Sequence, residues 1–180
     1  LSVDIEAKKI FTKSTPFLIG ENFIQTDLSK TLDRIALFGA TDFYKGETSK
    51  NIVKCMKRTG GIISASDLEE YRSIQRDPIS FDYKGYTIHA MPPPSSGGIA
   101  LAGILNQLEN IDISAIPYHS SDYIHYITEA EKRVYADRSV YLGDPDFNDI
   151  PIKTLISDTY SSKRWASVDT LLATQSTSIK

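Results

Sequence analysis

The chain has 180 residues, of which 41% are hydrophobic and 24% charged, and this composition is that of a globular domain with one sizeable core. It excludes disorder throughout. The 20 basic and 23 acidic residues are mixed along the chain and give a net charge of −3, which leaves no basic field for a nucleic-acid backbone, so we expect no nucleic-acid partner.

The first part of the chain predicts an extended arm followed by helices. A polar lead-in at residues 1–8 is followed by two apolar segments, 10–12 and 17–19, which are predicted to be either two short strands or an extended arm. The next elements are a helix capped by Thr26 or Asp27, a turn and a second helix, at about 27–38, 42–46 and 47–58. A capping box at Ser64-x-x-Asp67, in which Asp replaces the usual Glu, predicts another short helix.

Residues 79–91 alternate with period two on either side of Lys84-Gly85, which predicts a β-hairpin. Its second strand leads into Met91-Pro92-Pro93-Pro94-Ser95-Ser96-Gly97-Gly98, a segment that we call the corner. Proline fixes φ near about −65° and lacks a backbone donor, so the chain must leave the sheet there.

The second half of the corner has the composition of a helix start. Ser95 and Ser96 can cap the helix, and Gly97 and Gly98 allow a tight turn or a close backbone approach. A rigid structural corner is the favoured interpretation, because capped helix starts are far commoner than occupied ones. The alternative is a binding site in which the free amides hold a carboxylate or phosphate.

Three helices are predicted after the corner, and a flexible tail follows them, at about 97–110, 121–142, 158–168 and 169–180. In the longest helix one stripe contains two charged residues, Glu131 and Arg138, and the apolar residues Ile124, Ile127, Val134 and Tyr135. Charges on an apolar face are costly unless paired, so we expect these two at its edge or in structural pairs, with a catalytic role as the alternative.

The residues alone show no complete active site. His89, His119 and His125 lack the spacing of metal ligands, and the single cysteine, Cys55, gives them no support, so no metal site is expected. A serine hydrolase built on a corner serine is not favoured, because Gly-x-Ser-x-Gly is absent and no acid is placed to orient a histidine base.

Several segments in a fixed order resemble the gamma-glutamyltransferases over about residues 20–165. They are Gln25-x-Asp27-Leu28-x-x-Thr31-Leu32, Phe43-Tyr44-x-Gly46, Gly60-Gly61-x-Ile63, Asp67-Leu68-x-x-Tyr71, the corner, Glu129-Ala130, and Tyr135-Ala136-Asp137-Arg138-x-x-Tyr141-Leu142-Gly143-Asp144-Pro145-Asp146-Phe147. The corner and the last segment together are very specific.

The resemblance implies an α+β, helix-rich fold that forms part of an N-terminal-nucleophile hydrolase. In that family an αββα sandwich is completed by a small subunit, which self-cleavage of a precursor releases from the large one. The chain is similar to the C-terminal half of the large subunit, so we expect one partial domain over residues 1–168. The expected partner is the small subunit of the same precursor, in a heterodimer.

The function implied by the resemblance is transfer of gamma-glutamyl groups from glutathione-like donors to water or amino acids. The nucleophile would be the N-terminal threonine of the small subunit, so no catalytic residue, cofactor or metal is expected in this chain. A periplasmic, secreted or cell-surface parent is expected. Alternatives are a related acylase, a poly-gamma-glutamate-processing enzyme or a non-catalytic scaffold module.

The candidate residues within the chain are therefore of two kinds. Candidates for binding or for a structural corner are Ser95, Ser96, Gly97 and Gly98, and structural polar candidates are Glu131, Asp137 and Arg138.

Overall fold

The structure, a computed structural model, describes residues 5–179, which group into two compact units that meet in sequence at Ile74 and Gln75. The described chain is helix-rich with one two-stranded sheet, so the predicted α+β class is confirmed. The single partial domain over residues 1–168 stays a prediction. Within residues 5–179 no helix is long and apolar enough to cross a membrane.

The helices of the first unit differ from the prediction at its start. They are α1 (Ile5–Phe11), α2 (Thr26–Phe38), α3 (Ala40–Lys45), α4 (Glu47–Thr59) and α5 (Ala65–Glu70). The strands predicted at 10–12 and 17–19 are absent from the described chain. Residues 10 and 11 instead end α1, because the Glu, Ala and Lys residues before them favour a helix. The first four residues of the predicted lead-in lie outside the described residues.

Residues 40–45 form a helix where a turn was predicted, and Asp42 joins this helix to the next one. Its buried carboxylate accepts hydrogen bonds from the Thr48 hydroxyl and, at 3.2 Å, from the Glu47 amide, so it caps the start of α4 from the preceding helix. Gly46 makes this possible, because a Cβ there would lie 2.6 Å from the Asp42 Cα. Helix α4 ends at a left-handed Gly60, and the predicted Ser64 capping box is confirmed as complete.

The first unit buries polar residues and leaves many of its large apolar side chains exposed. Its buried helical residues, among those described, are Asp42, Thr48 and Ser49. Large apolar side chains on α2 and after α4 remain open to solvent, namely Leu28, Leu32, Leu37, Phe38 and Ile62. The large apolar side chains of α2 in this list are therefore uncovered within this unit.

The second unit begins with the predicted hairpin. Strand β1 (Ile79–Tyr83) pairs antiparallel with β2 (Tyr86–Ala90), so that Ile79 faces Ala90 and Tyr83 faces Tyr86. Lys84 and Gly85 both have positive φ, 46° and 83°, as a two-residue hairpin turn requires.

The later elements follow the predicted order, with one short α-helix and two 3₁₀ turns added. They are α6 (Gly97–Leu108), a 3₁₀ turn (Ile113–Ala115), α7 (Ser121–Tyr141), α8 (Ile152–Leu155), α9 (Asp158–Trp165) and a 3₁₀ turn (Ser176–Ser178). Helix α8 was not predicted, because four residues are too few for a periodic pattern. Ser120 and Ser157 cap α7 and α9 through their hydroxyls.

The core of the second unit lies between the hairpin and α6. Ile79 and Phe81 of β1 pack against Ile99 and Ala102 of α6, and Leu155 of α8 completes the cluster. The other face of the hairpin is polar, with bonds between Ser80 and His89 and between Asp82 and Thr87. The corner that joins β2 to α6 is therefore anchored at both ends.

Candidate functional site

The corner is held by its own backbone and hydroxyls. The Ser95 amide donates to the Pro92 carbonyl at 3.1 Å, and the Gly97 amide donates to the Ser95 hydroxyl at 3.3 Å. The peptide bond between Pro93 and Pro94 is cis. Ser96, which occupies the cap position, makes no capping bond with its side chain.

The two corner glycines have different surroundings. A Cβ at Gly98 would lie 2.4 Å from the Met91 carbonyl oxygen, so only glycine lets α6 start this close to the end of β2. A Cβ at Gly97 would meet only the Ser95 hydroxyl, at 3.5 Å. Neither glycine has positive φ, so close approach, and only at Gly98, is what requires a glycine.

The corner contacts α7 through the side chain of Ser96. Its hydroxyl accepts a hydrogen bond from Arg138 Nε at 3.0 Å, although 42 residues separate the two. A surface groove of about 290 Å³ lies here, lined by Pro94, Ser96, Arg138, Ser139, Leu142 and Gly143. The structure thus brings the two most specific segments of the sequence together.

The buried face of α7 is not the predicted one. Its buried residues are Glu129, Ala130, Arg133 and Val134. Ile124 and Tyr135 are 55% and 58% exposed, and Glu131 and Arg138 are exposed as well. The predicted stripe was wrong for Ile124 and Tyr135 and correct for Val134, because it followed the apolar side chains while the helix also buries an ion pair. The expectation that Glu131 and Arg138 lie outside the buried face agrees with their exposure.

Glu129 and Arg133 form that ion pair, one helical turn apart. Their side chains are each 1% exposed, and Arg133 Nη1 lies 2.7 Å from Glu129 Oε2. Lys132 Nζ donates to Glu129 Oε1 at 2.7 Å from the edge of the same helix. The carboxylate therefore has two cationic partners.

The same side chains bind the segment after α9. Glu129 accepts a hydrogen bond from the Thr174 amide at 3.0 Å, and Lys132 donates one to the Thr174 carbonyl at 2.9 Å. Arg133 donates to the Ser167 carbonyl at 2.6 Å and to the Ser167 hydroxyl at 2.8 Å. We call these five residues the clamp. The flexible tail predicted at 169–180 stays a prediction about motion, but the clamp fixes part of its path.

The clamp determines the acidity of Glu129. Burial alone would raise the pKa of this carboxyl, but hydrogen bonds from Lys132, Thr174 and Arg133 outweigh that effect and lower its pKa from 4.5 to about 2. Glu129 is therefore ionised at neutral pH in a buried position.

Asp137, one of the predicted polar residues, joins α7 to α9. It accepts a hydrogen bond from the Tyr160 hydroxyl at 2.9 Å and lies 3.0 Å from Arg164 Nη2. Burial raises the pKa of Asp137, and burial with the Asp137 contact raises the pKa of Tyr160 to about 12. These are signs of a desolvated structural contact between helices.

The described residues contain no recognisable catalytic set. Each histidine has a separate partner: Ser80 for His89, the Tyr118 ring for His119 and the Asp169 carbonyl for His125. Within residues 5–179 no group of acidic, histidine or cysteine side chains could hold a metal ion.

Sequence reasoning missed Glu129, Arg133, Tyr160 and Arg164 as structural residues. One signal was present, since Glu129 and Arg133 are spaced i, i+4 beside Ala130 and Val134, as on one helix face. Tyr160 and Arg164 gave no such signal.

A family model for gamma-glutamyltranspeptidase matches residues 1–180. This chain belongs to the gamma-glutamyltranspeptidase family. It is 42% identical over 175 residues to a glutathione hydrolase proenzyme of Escherichia coli K12, and the matched region is 97% of this chain and 30% of that protein. It is 39% identical to an acylase ACY 1 proenzyme of Pseudomonas sp. V22, over 84% of the chain and 27% of that protein.

A solved gamma-glutamyltranspeptidase has the same fold over almost the whole chain. The Helicobacter pylori enzyme matches with a TM-score of 0.85 and 42% identity, over 99% of this chain and 52% of that one. The chain thus spans about 30% of the length of the E. coli relative and about half of the solved chain. The corner and the clamp of this chain lie within the part that matches the solved enzyme.

Proposed function

We propose that this chain is part of a proenzyme that transfers gamma-glutamyl groups from glutathione-like donors to water or amino acids. The observation that carries the proposal is the similarity, along nearly the whole chain, to proteins named glutathione hydrolase proenzyme. The parent is then a hydrolase and acyltransferase that matures by cleaving itself.

The proposed chemistry uses a group outside residues 1–180, the N-terminal threonine of a small subunit. Its hydroxyl is activated by its own α-amine, whose pKa near 8 suits a base at neutral pH. The oxygen attacks the gamma-glutamyl carbonyl and the amine of the donor leaves with a proton. Water or an amino acid then attacks the acyl-enzyme and restores the hydroxyl.

The role we propose for this chain is to support that site by completing an αββα sandwich together with the small subunit. The hairpin is covered by α6 on one face, which corresponds to one helix layer on one sheet layer. In the described residues its sheet has only two strands, so both edges are free to pair with further strands. The exposed apolar side chains of α2 are a second surface that a partner can cover.

The corner and the clamp are scaffold features in this proposal. Ser95, Ser96 and Gly98 place α6 against the sheet, and Arg138 connects that start to α7.

We propose a periplasmic, secreted or cell-surface location for the parent, which rests on the family alone.

A related acylase is the second candidate, because acylase proenzymes also match this chain at 39% and 36% identity. A poly-gamma-glutamate-processing relative shares the same scaffold. The substrate pockets that separate these activities belong to the rest of the parent protein.

The test measures release of p-nitroaniline from gamma-glutamyl-p-nitroanilide by the full-length protein and by residues 1–180 alone. We expect turnover by the full-length protein after self-cleavage and none by the isolated chain, because the nucleophile lies elsewhere. Full-length protein that cleaves itself but hydrolyses only an acylated cephalosporin supports the acylase. Turnover by the isolated chain that survives repurification refutes the proposal that the nucleophile lies outside residues 1–180.

A further inference from the structure

Two buried polar side chains meet a small cavity between α6 and α9. Gln107 and Ser161 are each 1% exposed. Gln107 Oε1 and Ser161 Oγ have no hydrogen-bond partner among residues 5–179. Buried polar atoms are nearly always paired, so both atoms need a partner.

The orientation of the Gln107 amide is fixed by its other end. Nε2 donates to the Gly103 carbonyl at 3.1 Å and to the Ala130 carbonyl at 3.5 Å. A flipped amide would direct Oε1 at these two carbonyl oxygens, which is repulsive. Oε1 is therefore an acceptor that must receive a hydrogen from another group.

Ser161 offers the complementary group. Its amide is already used in α9, where it donates to the Ser157 carbonyl at 3.0 Å. Its hydroxyl has a hydrogen to donate and lone pairs to accept. No hydrogen bond joins the Ser161 hydroxyl to Gln107 Oε1, and both residues line the same cavity, so one molecule there that both donates and accepts can satisfy both atoms.

The cavity has a volume of about 10 Å³, which is of the size that one water molecule needs. Gln107 and Ser161 line it, and so do Asp137 and Tyr160 from the contact between α7 and α9. Apolar walls come from Ile99, Val134 and Leu155. The space is too small for an organic ligand and too polar to stay dry.

We propose that this cavity binds one structural water molecule, which donates a hydrogen bond to Gln107 Oε1 and accepts one from the Ser161 hydroxyl. The Asp137 carboxylate is the acceptor on the cavity wall for its second hydrogen. The water links α6 to α9 and satisfies both buried groups, so it belongs to the packing of the second unit.

The direct test is a high-resolution crystal structure of the full-length protein. We expect a water peak within about 3.2 Å of both Gln107 Oε1 and Ser161 Oγ. A dry cavity, or a Ser161 hydroxyl turned to a protein carbonyl with no water beside it, overturns the proposal.

A second test uses urea unfolding of Ser161→Ala, Gln107→Leu and the double variant, with Ser162→Ala as control because Ser162 is the exposed neighbour on α9. We expect each single variant to lower the folding equilibrium constant roughly 5- to 100-fold and the control to change it little. Since one water serves both groups, the double variant should lose far less than the product of the two. Independent, multiplying losses contradict a shared water.

Discussion

Replacing Arg133 by methionine tests the clamp most sharply. Methionine is nearly as long and keeps the apolar packing of the stem, but it removes the donors that contact Glu129 and Ser167. Because Arg133 and Glu129 are both buried, the substitution leaves a carboxylate with one cationic partner fewer in a desolvated place. Breaking a buried pair in this way costs about 3–5 kcal/mol.

The matched control is Arg138→Met on the same helix. Arg138 is exposed and makes one bond to the Ser96 hydroxyl, so its loss should cost about 1 kcal/mol or less. The assay is urea unfolding of the full-length protein followed by circular dichroism. Chymotrypsin provides a local readout, because Leu171 and Leu172 are exposed within the clamped segment and should be cleaved faster in Arg133→Met.

Equal destabilisation by the two arginine variants would refute the reasoning. A double variant, Glu129→Gln with Arg133→Met, separates the effect of charge from the effect of side-chain shape, because it removes both charges together. We expect it to be more stable than the sum of the single losses predicts, since neither charge is then left alone.

The other predictions concern acidity and the corner. The pKa of Glu129 is lowered from 4.5 to about 2, so on acidification the unfolded chain takes up this proton before the folded chain does. The shift stabilises the folded protein by about 3 kcal/mol above pH 4.5. That stabilisation is lost as the pH falls from 4.5 toward 2. Urea midpoints between pH 2 and 5 should show this fall, and Glu129→Gln should flatten it. Gly98→Ala should destabilise the fold by about 1–3 kcal/mol, because the new Cβ would clash with the Met91 carbonyl. Gly97→Ala should be neutral or slightly stabilising. Thermal unfolding of the two variants tests both expectations.

The sequence by itself determined the features that depend on near neighbours. The Lys84-Gly85 turn and the Ser64 capping box were correctly placed, because each depends on residues only a few positions apart. The corner and the segment 135–147 were the most specific part of the resemblance to the family. Helix α1 was missed because the prediction weighed three residues without the helix formers before them.

Only the tertiary structure decided which face of α7 is buried. Hydrophobic periodicity favours apolar side chains, yet Glu129 and Arg133 are inside and Ile124 and Tyr135 are outside, because distant Ser167 and Thr174 supply the bonds that make a buried ion pair acceptable. The same holds for the corner, where both glycines look alike in sequence. Gly98 alone must be glycine because folding brings the Met91 carbonyl to within 2.4 Å of where its Cβ would be.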